Sequence, residues 1–254
     1  MQTDVSGGGV AAGHTRCVEA GILTIGNELV SGDVPNTNAS WLAKRLEPLG
    51  VRIVITAAVP DETELIVDFV NRERSRVDHL LVTGGLGGTP DDITREALAA
   101  AFGVDQVVLP ELRDELRSRF RRDPEYAGRW AALPAGAEPL ENPLGGAPGF
   151  RLGNVWVLPG LPREMEAMFD RYAEAFAGGA PIRSWRSRHR TAESLISDVL
   201  VEATERWPSV TVGSYPSFLT DGPEVEIVLK SADADALTAA SAWIGPLLVE
   251  RSRP

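Results

Sequence analysis

Three successive stretches constrain the fold of this chain more than any others. Residues 77–82 (VDHLLV) read as a strand, 83–92 (TGGLGGTPDD) as a glycine-rich turn ending in two acids, and 93–102 (ITREALAAAF) as a helix. A strand that runs through glycines into a helix is the unit of parallel α/β sheets. Gly84, Gly85, Gly87 and Gly88 tolerate positive φ and let backbone N–H groups approach an anion without a Cβ in the way. Asp91 and Asp92 would then hold a divalent cation against that anion. A plainer use of the same residues is a helix cap, with Thr89 at the N-cap, Pro90 at N1 and the acids in the first turn, where the helix dipole favours them without any ligand. Four glycines exceed what a cap needs and raise the entropy lost on ordering, which favours the ligand loop while leaving the cap open.

The alternation extends through the first two-thirds of the chain. Strand-like stretches at 17–25, 51–59 and 154–158 interleave with helix-like stretches at 39–49, from Pro60–Glu62 to about 74, 110–122 and 163–177. A short apolar piece lies at 107–109, and 133–149 reads as irregular because proline and glycine interrupt it. This order predicts an α/β domain over 17–178, three-layered αβα, built on a mostly parallel sheet. Ligands of such sheets sit at the carboxyl ends of strands, where residues 26–32, 83–92 and 159–163 are expected to converge. A Gly-Gly-Ala-Pro linker starts at Gly178. Beyond it the order is strand 182–190, helix 192–207, strands 210–214 and 225–230, and helix 233–249, a small βαββα domain of α+β type over 181–254.

Composition narrows the chemistry. The 254 residues are 43% hydrophobic and 24% charged, ordinary for a globular protein, and no apolar run is long enough for a membrane span. Residues 1–16 are small and polar, so a flexible tail without signal-peptide character and a cytoplasmic location are expected. The single cysteine, Cys17, is expected to be buried and inert. His14, His79 and His189 are too scattered for a zinc site, so any metal should be a hard cation such as Mg²⁺, held by carboxylates and phosphate oxygens. The net charge of −11 disfavours nucleic acid as a partner. Arg186, Arg188 and Arg190 would share one face of a strand, most simply a solvated one, with an anionic partner as the alternative.

A second candidate loop follows the first strand. Glu28 stands where a carboxylate can face a cleft and orient water or bind metal; an exposed loop acid is the bland alternative. Asn36, Thr37 and Asn38 suit sugar hydroxyls, phosphate or a helix cap equally well. No P-loop, complete dinucleotide fingerprint or nucleophile elbow occurs.

Taken in order, GNELVSG with NTN and WLAKRL, LLVTGGLGGTPDDITREALA, and LPGLPREMEAMF resemble the CinA family, specifically its N-terminal domain of the molybdopterin-binding, MoaB/MogA-like fold. GSYPSF and EVEIVLKS resemble that family's small second domain, and the likeness spans about 17–230. The resemblance implies a homo-oligomer, commonly a dimer or trimer. It also implies one of two activities: metal-dependent cleavage of ADP-ribose or a similar nucleotide, or molybdopterin binding with or without adenylyl transfer. A scaffold that has lost its chemistry is a third alternative. Carried onto this chain, the motif places Asn27, Glu28, Gly84, Gly85, Asp91 and Asp92 at the ligand. Gly32, Thr37, Asn38, Thr83, Gly87, Gly88 and Thr89 complete the expected substrate contacts, with Glu28, Asp91 and Asp92 as catalytic groups and the two aspartates as metal ligands. Three departures stand out. Gly88 replaces a usual proline and is expected to loosen the loop, Asn36 replaces a usual acid, and the deamidase activity of the family's C-terminal amidase domain is not expected.

Overall fold

The computed structural model describes residues 18–220 and 222–252. The expected tail at 1–16, including His14, and Cys17 lie outside the described residues. The first unit contains β1 (Val18–Ile25), α1 (Asn27–Ser31), α2 (Thr37–Leu46), β2 (Val51–Val59), α3 (Thr63–Glu73), β3 (His79–Thr83) and α4 (Thr94–Phe102). It continues with β4 (Gln106–Val108), α5 (Pro110–Arg119), α6 (Pro124–Gly128), β5 (Ala132–Pro134), β6 (Glu138–Leu140), β7 (Gly149–Leu152), β8 (Val155–Leu158) and α7 (Pro162–Tyr172). The second unit is β9 (Arg183–His189), α8 (Ser197–Arg206), β10 (Thr211–Leu219), β11 (Gly222–Ser231) and α9 (Ala234–Arg251).

The main sheet runs β2-β1-β3-β8-β7-β6, with β2, β1, β3 and β8 parallel, β7 antiparallel to β8, and β6 antiparallel to β7. Strand alternation sends neighbouring residues to opposite faces, and the core divides accordingly. Leu23, Leu80, Val82, Val155 and Val157 meet Ile66, Phe69 and Val70 of α3 and Ala97 and Leu98 of α4 on one side. Ala20, Ile22, Leu81, Trp156 and Leu158 meet Ala39, Leu42 and Leu46 of α2 and Met165, Met168 and Phe169 of α7 on the other. The expected three layers are present. Residues 133–149 are not uniformly irregular: β6 and β7 add an antiparallel edge to the sheet, where proline and glycine are tolerated because an edge strand has donors to spare.

The βαββα order of the second unit is as expected. Its sheet, β10-β11-β9, buries Val225, Ile227 and Leu229 under Val199 and Ala203 of α8 and Leu237, Ile244 and Leu248 of α9. On the opposite face Arg186 and Arg188 pair with Glu226, and Arg190 with Glu224, at 3.3 to 3.4 Å. This is an ion-paired, solvated surface. β10 runs on through Pro216 to Leu219, because an edge strand does not need every N–H. The two units meet where Lys230 pairs with Glu47 and the Ile182 N–H donates to the Glu47 carbonyl at 3.0 Å. Among the described residues no helix is long and apolar enough to cross a membrane.

Candidate functional site

The sheet register brings the loops together. Thr24 of β1 pairs with Thr83 of β3, Thr83 with Leu158 of β8, and Ile25 with Val59 of β2, so the strands end almost level. The helices that follow β1 and β3 lie on opposite faces of the sheet, so a crevice opens between those strands at the point where the connection reverses. It is a cleft of about 660 Å³, lined by Gly26, Glu28, Asn36, Thr37 and Asn38, by Asp61, by Thr83 to Gly87 with Asp91 and Asp92, and by Pro159 to Pro162. The expected convergence of three loops is therefore present.

Two asparagines hold the start of α2 to the ends of the strands. Asn36 caps the helix by accepting from the Ala39 N–H, and its Nδ2 donates to Thr24 Oγ1 at 2.7 Å. Asn38 Nδ2 donates to Thr83 Oγ1 at 3.1 Å and to the Gly160 carbonyl at 2.8 Å. Asn38 Oδ1 is buried without any donor. An orphaned acceptor beside a cleft is a place for a ligand N–H or O–H.

The glycine loop is shaped by close approaches. Gly84 has φ +109°, and a Cβ there would strike the Ile25 carbonyl oxygen; Gly85 has φ +63°, and a Cβ would strike the Thr94 hydroxyl. Only glycine fits such a backbone. Thr94, fully buried, fastens the loop from behind: its Oγ1 donates to the Gly84 carbonyl at 2.9 Å and its N–H to that of Gly85 at 3.2 Å. The expected cradle of N–H groups from Gly84 to Gly88 is narrower than the sequence suggests. Gly84 N–H bonds the Leu158 carbonyl, Gly87 N–H the Asp92 carboxylate and Gly88 N–H the Tyr126 hydroxyl. Gly85 and Leu86 donate to no described residue and are the two N–H groups left for an anion.

The expected cap at Thr89 is replaced by a loop-internal lock. α4 begins only at Thr94, after Ile93, and Asp92 folds back into the loop. Its Oδ1 accepts from Gly87 N–H at 2.8 Å, and its Oδ2 accepts from the Thr89 N–H at 2.8 Å and from the Thr89 hydroxyl. Gly88 does not loosen the loop either. Its N–H bond to Tyr126 is 3.1 Å, and a Cβ there would lie 2.5 Å from the Tyr126 ring, so proline would lose the donor and collide. Behind the loop, Arg95 is 5% exposed and donates to the carbonyls of Leu86 at 2.8 Å and Gly87 at 2.7 Å. Burial pushes its guanidinium pKa down, but an arginine stays charged.

Acids gather at the same cleft. Asp61 accepts from the Asn27 N–H at 2.9 Å, and burial raises its carboxyl pKa, with the carboxylates of Glu28, Asp91 and Asp92 adding to the rise. Asp91 is exposed, and the Thr89 hydroxyl and its own N–H beside it keep its carboxyl below the ordinary range. Among the described residues no three His, Cys, Asp or Glu side chains gather as a metal-binding group. Both oxygens of Asp92 are engaged in the loop, whereas the Asp91 carboxylate is exposed. A hard cation would fit here only with one or two carboxylates and oxygens of a bound phosphate.

Of the expected residues, Glu28, Thr37, Asn38, Thr83, Gly84, Gly85, Gly87, Asp91 and Asp92 line the cleft. Asn27, Gly32, Gly88 and Thr89 do not. Asn27 is tied to Asp61, Gly32 closes the short α1 at φ +83°, and Gly88 and Thr89 face a second hollow behind the loop. Asp61 reads in the sequence only as part of a helix start, and nothing local marks the aromatic wall of Phe120, Tyr126 and Trp130, whose rings pack edge-on at 5.0 and 5.6 Å between centroids. They come from α3's approach loop and from the α5–α6 region, far away in the chain. His79 packs edge-on against Trp156 and Phe176 in the core, away from the cleft.

Comparison with known proteins gives a consistent picture. The model of a family described as "Probable molybdopterin binding domain" matches residues 21–178, and that of "FAD synthase, middle domain" matches 187–252. A protein of Archaeoglobus fulgidus is 36% identical over 195 residues, covering 77% of this chain and 84% of its own. A CinA-like protein of Frankia casuarinae is 41% identical over 165 residues, which are 60% of this chain but 38% of that protein, so the match spans less than half of that relative. The crystal structure of the protein CinA from Thermoplasma acidophilum, of unknown function, is 29% identical with a TM-score of 0.59, covering 62% of this chain and 97% of that one.

Proposed function

This chain belongs to the CinA-like group of the molybdopterin-binding domain family, and from that premise we propose that its cleft binds a small molecule joining a phosphate to a flat heteroaromatic ring, of the molybdopterin type. One observation carries this reading: a single cleft holds the free N–H groups of Gly85 and Leu86 together with the aromatic wall of Phe120, Tyr126 and Trp130. The phosphate would lie on the glycine loop, where backbone dipoles suit an anion even in an acidic protein. The ring would lie along the wall, as flat rings pack on aromatic side chains. Asn38 Oδ1, buried and without a donor, would accept from the ligand. The test is mild oxidation of freshly purified protein followed by pterin fluorescence, with calorimetric titration of the apoprotein against molybdopterin. No co-purified pterin and no heat of binding would overturn the proposal.

A second reading rests on the acids. Glu28, Asp61 and Asp91 face the same cleft as the glycine loop, an arrangement that suits hydrolysis of an ADP-ribose-type pyrophosphate. In that reaction a divalent ion such as Mg²⁺, held by Asp91 and phosphate oxygens, would polarise the phosphoryl group, and Glu28 would orient water. Incubation with ADP-ribose and Mg²⁺, Co²⁺ or Ni²⁺ should release AMP. Absence of AMP with every metal sinks this reading and leaves the first untouched.

A further inference from the structure

Behind the glycine loop, on the side away from the cleft, lies a second hollow of about 650 Å³. Arg95, Arg113, Arg117 and Arg129 line it. Four guanidinium groups around one hollow stand against the trend of a chain with 36 acids and 25 lysines and arginines. Helix geometry explains part of the clustering: Arg113 and Arg117 are one turn apart on α5, so they share a face. Gly128 of α6 packs against them, and a Cβ there would lie 3.4 Å from Arg117 Cγ and 3.5 Å from Arg113 Cγ.

The acids nearby, three carboxylates against four guanidinium groups, offset this charge only in part. Asp92, Glu96 and Glu125 also line the hollow. Both oxygens of Asp92 are taken by the loop, and Glu125 pairs with a terminal nitrogen of Arg117. Arg95 forms no ion pair among the described residues and is held by carbonyls alone. The Nε–H groups of Arg113 and Arg117 are buried with no acceptor, and the Asp114 carboxylate lies 3.8 Å from that of Arg113, beyond hydrogen-bond reach. A buried N–H left unpaired is unfavourable, and a charged one more so. An oxyanion would supply the missing acceptors, and the planar guanidinium fork suits phosphate oxygens.

We propose that this hollow is a second site, distinct from the cleft, for a phosphate-bearing small anion. Its volume falls in the range of small-molecule pockets and admits more than a bare phosphate. An anion held there touches the back of the same loop whose front faces the cleft, since Gly88, Thr89 and Asp92 line the hollow.

Equilibrium titration of the full chain with inorganic phosphate, AMP and succinate, each followed by calorimetry at low salt, tests the proposal. Arg113 and Arg117 have side chains 42% and 37% exposed, so the double variant Arg113→Gln/Arg117→Gln should fold, which circular dichroism checks. Phosphate and AMP binding should weaken at least about tenfold in that variant, as loss of charge-assisted bonds implies. Asn38→Ala, a change in the cleft, should leave this binding class in place. The proposal is overturned if wild-type protein binds neither phosphate nor AMP. Unchanged affinity in the double variant, or loss only with Asn38→Ala, overturns it too. Succinate binding as tightly as phosphate would overturn the phosphate assignment.

Discussion

The carboxylate of Asp92 accepts a hydrogen bond from the backbone N–H of Gly87 at 2.8 Å, closing the glycine loop on itself from five residues away. Its second oxygen holds both the N–H and the hydroxyl of Thr89. This side chain helps set the loop's shape, and the N–H groups of Gly85 and Leu86 are left to a ligand because Asp92, the Leu158 carbonyl and the Tyr126 hydroxyl claim the others. Its neighbour Asp91 stays exposed at the cleft. Two adjacent acids, alike in sequence, divide into a structural one and a free one.

Asp92→Asn keeps one acceptor oxygen but turns an NH₂ group toward N–H donors. The variant should lose about 1–3 kcal/mol of stability. Amide exchange at Gly87 and Thr89 should quicken, which hydrogen exchange by NMR reads. Unchanged protection at both amides would show that the lock is not needed.

Gly88 and Tyr126 should behave as a coupled pair. Gly88→Ala places a methyl 2.5 Å from the Tyr126 ring and should destabilise the protein by about 1–3 kcal/mol through overpacking. Tyr126→Ala in the same chain should remove most of that penalty. A double-mutant cycle in urea measures the coupling, and simple additivity would refute it.

Asn36 is no neutral stand-in for an acid. The Thr24 hydroxyl gives its proton to the Ala57 carbonyl at 3.2 Å, so Thr24 Oγ1 offers only lone pairs to the Asn36 amide. Asn36→Asp should therefore set carboxylate against lone pairs and lower stability by about 1–3 kcal/mol, even though aspartate is an equally good cap. Thermal melts of the variant against wild type decide this, and a melt at or above the wild-type temperature counts against it.

Asp61 should oppose stability at neutral pH. Its carboxyl pKa is raised in the folded state, chiefly by burial, so folding favours the protonated form. The folded protein binds the proton more tightly, and stability falls as pH rises from the ordinary carboxyl value of 3.8 through the raised one. Asp61→Asn, which keeps an acceptor for the Asn27 N–H, should melt higher than wild type at pH 7. The gain should shrink as pH falls towards 3.8. A gain that is absent at pH 7, or that grows in acid, would be inconsistent with this origin.

Much of the architecture was legible in the chain itself. Apolar runs of strand length, separated by glycine and proline, predicted β1, β2, β3 and β8 to within a few residues, because a buried parallel strand needs an unbroken apolar run. β6 and β7 escaped notice because strands of three and four residues carry no such run, and the prolines and glycines in and around them look like loop. Thr89 to Asp92 looked like a helix cap because cap and loop lock use the same residue types. The choice between them depends on where the Asp92 side chain turns, which local sequence does not encode.

The sequence by itself determined the succession of the longer elements, the two units and the presence of a glycine loop after β3, since each follows from periodicity and turn chemistry over a few neighbouring residues. Only the tertiary structure decided the membership of the cleft. Asn27 meets Asp61 across 34 residues, Gly88 meets Tyr126 across 38, and Asn38 meets Gly160 across 122. Those contacts arise because parallel pairing levels the strand ends and reversal of the connection opens a crevice between β1 and β3. No local pattern records what will face it.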